Sequence, residues 1–215
     1  MSFLNQLKSQ ARALQGEREQ HDAQLDARTA RTEAACAATL AYLQDLARQL
    51  NVLQPAGPAF TLDGRTPWPA MKLADFRVDA RRKTLRGREA FDYIAMGWQV
   101  VPRIGAPVGG TVSVNFPPDL QRVESRLAMG PVKHERIEVR DPEKNVLRAI
   151  RFEYLTQTRG SVSVTPQHDE GQIAFRLLNT AGFEIANVRW PAERVNQGLL
   201  DELAKRIVSE PSTFA

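Results

Sequence analysis

Residues 2–54 contain no proline, whereas the stretch immediately after them holds Pro55, Pro58, Pro67 and Pro69 together with Gly57 and Gly64. The first stretch is rich in Ala, Leu, Gln, Arg and Glu, which lose little side-chain freedom in a helix, and it lacks the ring that would remove a backbone donor. The second cannot continue any helix. The chain therefore divides into a helical arm over residues 1–54, a stiff Pro-rich connection over 55–70, and a body over 71–215.

Within the arm, Leu4, Leu7, Ala11 and Leu14 recur at alternating spacings of three and four, and so do Cys36, Leu43 and Leu50, with Thr39, Leu46 and Leu53 beside them. Both are seams of the coiled-coil type. Continuing the first seam meets Arg18, His21, Leu25, Arg28 and Thr32, so the apolar face fades and its phase slips, with a stutter or break expected near Gly16. A helix this polar in its middle needs a partner to be stable along its length. Leu4, Leu7, Leu14, Leu43, Leu46, Leu50 and Leu53 are the candidate interface residues, for self-association or for docking another protein. The competing expectation is that residues 34–53 pack on the body and the rest is solvated. A weaker alternative is peripheral membrane contact, in which Phe3, Leu4, Leu7 and Leu14 meet the lipid and Lys8 and Arg12 the headgroups.

From Met71 to Trp190 the apolar period changes from helical to two. Ala74, Phe76, Val78 and Ala80 alternate, as do Ile94, Met96, Trp98 and Val100, then Val112, Val114 and Phe116. A short helix is expected around Leu120, Val123 and Leu127. A hairpin is expected with strands over 133–140 and 146–157 around Asp141–Asn145, where Pro142 presets one torsion and Asn145 tolerates a left-handed one. Strands over 161–165, 172–178 and 183–190 follow. Short connections imply antiparallel pairing in a meander. Val195, Leu199, Leu203 and Ile207 form a closing helical stripe suited to covering a sheet face. The expected class is α+β: a long N-terminal helical arm, an antiparallel β-meander body and a C-terminal amphipathic helix packed on the sheet.

The chemistry-bearing residues are sparse. There is no phosphate-binding loop with a following Lys-Ser or Lys-Thr, no nucleophile elbow and no paired-histidine zinc motif. No cofactor and no metal are expected, and a non-enzymatic role is favoured. His21, His134 and His168 are scattered, and His168-Asp169-Glu170 reads as a solvated hairpin tip. Trp68, held extended between two prolines, reads as a plug on the core, and Trp98 and Trp190 as core. Cys36, the sole cysteine, reads as a small packed residue. With one cysteine and no long apolar leader, a cytoplasmic location is expected.

The formal charge of +4 is uneven: residues 1–55 are neutral and the excess lies in the strand region. Its densest part contains Arg81, Arg82, Lys83, Arg86 and Arg88, the candidate anion-binding residues, which would contact nucleic acid or an acidic surface. The leading expectation is an interaction or scaffold protein working through its arm. Its alternatives are this anion-binding turn and a small-molecule pocket between the sheet and the C-terminal helix.

Overall fold

The computed structural model describes residues 3–215, so the first two positions of the expected arm lie outside the described residues. Helix α1 runs over Phe3–Leu53. Strands β1 (Met71–Leu85), β2 (Arg88–Pro102) and β3 (Gly109–Val114) follow, then helix α2 (Pro117–Met129). After these come β4 (His134–Arg140), β5 (Leu147–Leu155), β6 (Thr158–Gln167), β7 (Gln172–Leu178) and β8 (Ile185–Pro191), and helix α3 (Gln197–Ile207) ends the order. The class is α+β with antiparallel strand pairing throughout the named sheets.

The strands form two sheets rather than one continuous meander. The larger has the order β1-β2-β6-β7-β8 and the smaller β3-β5-β4. Each neighbouring pair in the larger sheet is an up-and-down pair, but between β2 and β6 the chain leaves to build the smaller sheet and α2. Strand periodicity shows which face of a strand is buried and not which strand it pairs with, so this excursion has no signature in the pattern.

Helix α1 passes unbroken through Gly16, so of the expected stutter or break the break is absent. Its buried residues are Thr32, Ala35, Cys36, Thr39, Leu43, Ala47 and Leu50, a helical stripe that lies on the larger sheet. Two of these are threonines, whose hydroxyls donate to the carbonyls four residues back: Thr32 to Arg28 at 2.9 Å and Thr39 to Ala35 at 2.8 Å. Their polarity is thus satisfied within the helix, and their methyl groups are free to pack. The buried face of the sheet carries Ile94, Met96, Trp98 and Val100 of β2, Val162 and Val164 of β6, and Ile173, Phe175 and Leu177 of β7, and α1 lies over its β1, β2 and β6 side.

The edge of the larger sheet is closed by the same helix. A bulge at Asp75–Phe76, with Asp75 at φ 58°, releases the backbone of Phe76 from the ladder. Asn51 restores both bonds: its side-chain amide donates to the Phe76 carbonyl at 2.9 Å and its oxygen accepts from the Phe76 N–H at 2.8 Å.

Residues 55–70, expected to be a boundary connection, are a packed strap. Phe60, Leu62 and Trp68 are buried, and Trp68 stacks on Tyr154 of β5 with ring centroids 5.7 Å apart while Phe183 meets it edge-on at 5.3 Å. Trp68 is therefore the plug the flanking prolines suggested, and it joins the smaller sheet to the larger. Arg126 of α2 reinforces this by donating to the Thr61 and Leu62 carbonyls, both at 3.0 Å. Asp63 folds the strap on itself. Burial opposes its charge, yet bonds from the Thr66 and Arg65 amides and from the Thr66 and Thr61 hydroxyls outweigh that and hold its carboxyl down to about 2.

Two glycines are required by large aromatics across the ladder. A Cβ on Gly160 would lie 2.3 Å from the Trp98 indole, and one on Gly110 would lie 2.5 Å from the Tyr154 ring. In each case the ring lies over its paired glycine. Helix α3, capped by Asn196 accepting from the Leu199 amide, buries Leu200, Leu203 and Ile207. Leu200 rather than Leu199 carries the buried stripe there, a shift of one position from the expected spacing.

Candidate functional site

The helix has two regimes, and the border between them is built from polar groups. Glu33 of α1 accepts from the Phe91 amide at 2.9 Å and lies 2.8 Å from Nε2 of His168, which is only 5 % exposed. Beside them Arg28 donates to the Asp169 carbonyl at 3.0 Å, and Arg86 bonds both the Thr29 hydroxyl at 2.9 Å and the Asp169 carboxylate. The tips of the β1–β2 and β6–β7 hairpins thus grip one turn of α1. His168, expected at a solvated tip, is instead buried in this clamp. The reason is a contact between residues 135 apart in the chain, which no local pattern displays.

N-terminal to the clamp the helix leaves the body. None of the residues from Phe3 to Ala30 is buried, and Phe3, Leu4, Leu7 and Leu14 are exposed, by 74 % for Phe3 and 57 % for Leu14. At 1.5 Å per residue the segment from Phe3 to Arg28 projects about 40 Å. The interface candidates therefore divide. Leu4, Leu7 and Leu14 lie on the free arm; Leu43 and Leu50 are fully in the core; Leu46 is half-buried against it; and Leu53, at the helix end, is exposed.

The basic turn is largely balanced by its own surroundings. Arg86 and Gly87 both have positive φ, 48° and 75°, as a two-residue hairpin turn of the primed type demands. Lys83 lies 3.2 Å from Asp92, Arg82 lies 3.9 Å from Glu89 with its guanidinium 4.2 Å above the Phe91 ring, and Arg86 is in the clamp. Arg81 sits over the Tyr93 ring at 5.3 Å. A cleft of about 460 Å³ separates this tip from α1, with Asp22, Asp26 and Glu33 on the helix side and Arg86 and Arg88 on the other.

Four further arginines gather where no run announced them. Arg77, Arg159, Arg176 and Arg189 come from β1, β6, β7 and β8, and all are exposed on the face of the larger sheet opposite α1. A weak signal was present in the strands themselves. Arg176 stands between Phe175 and Leu177, and Arg159 alternates with Ser161 and Ser163 against Val162 and Val164, so each strand places its polar face there.

The space between the sheet and α3 is filled. Leu200, Leu203 and Ile207 occupy it, and Phe214 from the C-terminal segment meets Phe175 edge-on at 5.2 Å. Burial, reinforced by the neighbouring Glu33 charge, pushes the Cys36 thiol up to about 12, so it packs as a small apolar group. Tyr42 is held protonated by burial and by its 2.6 Å hydrogen bond to Asp201 of α3, which ties the two helices together. Among the described residues no group of three or more His, Cys, Asp or Glu side chains is placed to hold a metal ion. No described helix is long and apolar enough to cross a membrane.

Comparison with known protein families, with curated proteins and with solved structures finds no match for this chain.

Proposed function

We propose that the protein is a non-enzymatic scaffold that self-associates through the free part of α1, presenting its two-sheet body as the unit that is assembled. The supporting observation is the apolar stripe of Leu4, Leu7 and Leu14, exposed on a projecting segment that no other described part of the chain covers. An isolated helix of this length gains too little from its own hydrogen bonds to be firm in water, and alternating spacings of three and four make a stripe complementary to a copy of itself. A second copy of the arm is therefore the occupant.

The test uses the full chain. Sedimentation of the wild type at micromolar concentration is expected to give a dimer or higher state, and Leu4→Glu/Leu7→Glu/Leu14→Glu is expected to give a monomer with an unchanged thermal transition. A wild type that stays monomeric up to 100-fold higher concentration overturns the reading. So does a triple variant that associates as the wild type does, or an arm that instead carries the protein onto lipid vesicles.

A further inference from the structure

The smaller sheet and the outward face of the larger one treat arginine in opposite ways. Around the smaller sheet, Arg136 lies 3.4 Å from Glu124 and 3.6 Å from Glu138, Arg140 lies 2.8 Å from Glu138, and Arg151 lies 3.4 Å from Glu153. That is the ordinary condition of a solvated strand surface, with both signs interspersed. On the outward face of the larger sheet, among the described residues, Arg77, Arg159, Arg176 and Arg189 have neither a carboxylate within 4.0 Å nor a side-chain hydrogen bond. The acids on that side are Asp79 and, at the bulge, Asp75.

The register makes these arginines into a single surface. Arg77 opposes Gly97, which opposes Ser161; Ala95 opposes Ser163, which opposes Arg176; and Ala174 opposes Arg189. The middle of the face is thus a floor of small side chains. Arginines flank it on β1 and on β7, three strand spacings or about 14 Å apart. A groove of about 590 Å³ runs over part of this floor, lined by Arg77, Gln99, Arg159 and Ser161, with Asp75 at its edge. Tyr93 lies on the same side of β2, half-buried, with Arg81 against its ring.

Arg176 and Arg189 stand on adjacent strands two register positions apart, within about one screening length, and repel, which does not serve the fold. Guanidinium forks match phosphate oxygens bidentately, and a flat sheet with an aromatic suits splayed bases. Among the described residues no helix or ribbon protrudes from this face to enter a duplex groove. We propose that the outward face of the five-stranded sheet binds single-stranded nucleic acid, with Arg77, Arg159, Arg176 and Arg189 holding phosphates and Tyr93 stacking on a base. This site is separate from the arm and adjoins the basic turn, whose Arg81 lies against the Tyr93 ring.

Fluorescence anisotropy of the full chain with a labelled mixed-sequence 20-nucleotide DNA or RNA strand tests it. Saturable binding is expected at 50 mM salt, weakening as salt rises with a log–log slope of about −2 to −3, the value for four phosphate contacts on a single strand. Arg159→Glu/Arg176→Glu is expected to weaken binding about tenfold or more while keeping the wild-type thermal transition. Arg159→Gln/Arg176→Gln supplies the same test should charge reversal disturb folding. Arg148→Glu, on the smaller sheet, is expected to bind as the wild type does. Absence of binding at 50 mM salt overturns the proposal. So does binding indifferent to the face substitutions, or retention of polyglutamate or anionic vesicles with no affinity for the oligonucleotide.

Discussion

The two halves of α1 are wound in one unbroken helix, the first richer in charged residues and the second in apolar ones, and they live in different environments. Between Thr32 and Leu50 the helix is a core element, its apolar stripe buried on β1, β2 and β6. Before Arg28 it is a solvated rod on which Leu4, Leu7 and Leu14 face water and, of the leucines, only Leu25, beside the β1–β2 tip, is half-buried. Helix formation is thus a local property that both halves share, while burial depends on whether a sheet lies alongside. The boundary is a polar one. Glu33, His168, Arg86 and Asp169 stand where the sheet ends and the helix continues, and they fix the register of α1 on the body more specifically than apolar contact alone could.

This contrast can be broken most severely from inside. Leu43→Ala removes a fully buried side chain from beneath the sheet and is expected to cost about 2–5 kcal/mol in chemical denaturation, whereas a loss under 1 kcal/mol would mean the helix is only loosely docked. Next in size is Glu33→Ala. It strips the partner from both the buried His168 ring and the Phe91 amide, for an expected loss of about 1–3 kcal/mol in the same measurement. If the loss is within 0.5 kcal/mol, the clamp contributes nothing to docking.

A third expectation concerns the strap that joins the sheets. The Asp63 carboxyl has a folded value near 2, below its ordinary 3.8, so its contribution to stability is complete above about pH 4 and lost as pH falls through 2. Asp63→Asn is expected to be less stable than the wild type at pH 6, with the two curves converging near pH 2. Parallel curves across that window would remove the carboxylate from the account. A finer measure is thiol labelling. Cys36 is expected to react only through opening of the core, whereas a Leu14→Cys probe in a Cys36→Ala background reacts at the rate of an unfolded thiol in the dissociated protein. The smallest effect belongs to Leu14→Ala, expected to stay within about 0.5 kcal/mol of the wild type at concentrations where the arm is free. A larger loss would show that the arm packs on its own body.

These halves also explain why deleting residues 1–55, which the domain division invites, does not isolate a body. It would remove Cys36, Thr39, Leu43 and Leu50 from the core, so the separable part is the segment before Arg28. The seam of Cys36, Leu43 and Leu50 was legible as a stripe, but a coiled-coil seam and a sheet-facing stripe share the same spacing. Similarly, Arg81–Arg88 was visible as a charge run because it is contiguous. The pairing of Arg82, Lys83 and Arg86 with Glu89, Asp92 and Asp169 depends on strand pairing and on a turn more than eighty residues further along the chain.

What the sequence by itself determined is the set of elements and their faces. The proline-free stretch must be helix, the Arg86-Gly87 and Asp141–Asn145 segments must turn, and Ile94, Met96, Trp98 and Val100 must share a face. Torsional preference and periodicity act over a few residues, and those are readable in order along the chain. Only the tertiary structure decided that the strap packs, that β5 sits at the centre of a second sheet, that His168 is buried against Glu33, and that four arginines from four strands stand together unpaired. Each of these is a meeting of residues distant in sequence. Such meetings are set by register and by which surfaces exclude water from one another, and a one-dimensional pattern holds no record of either.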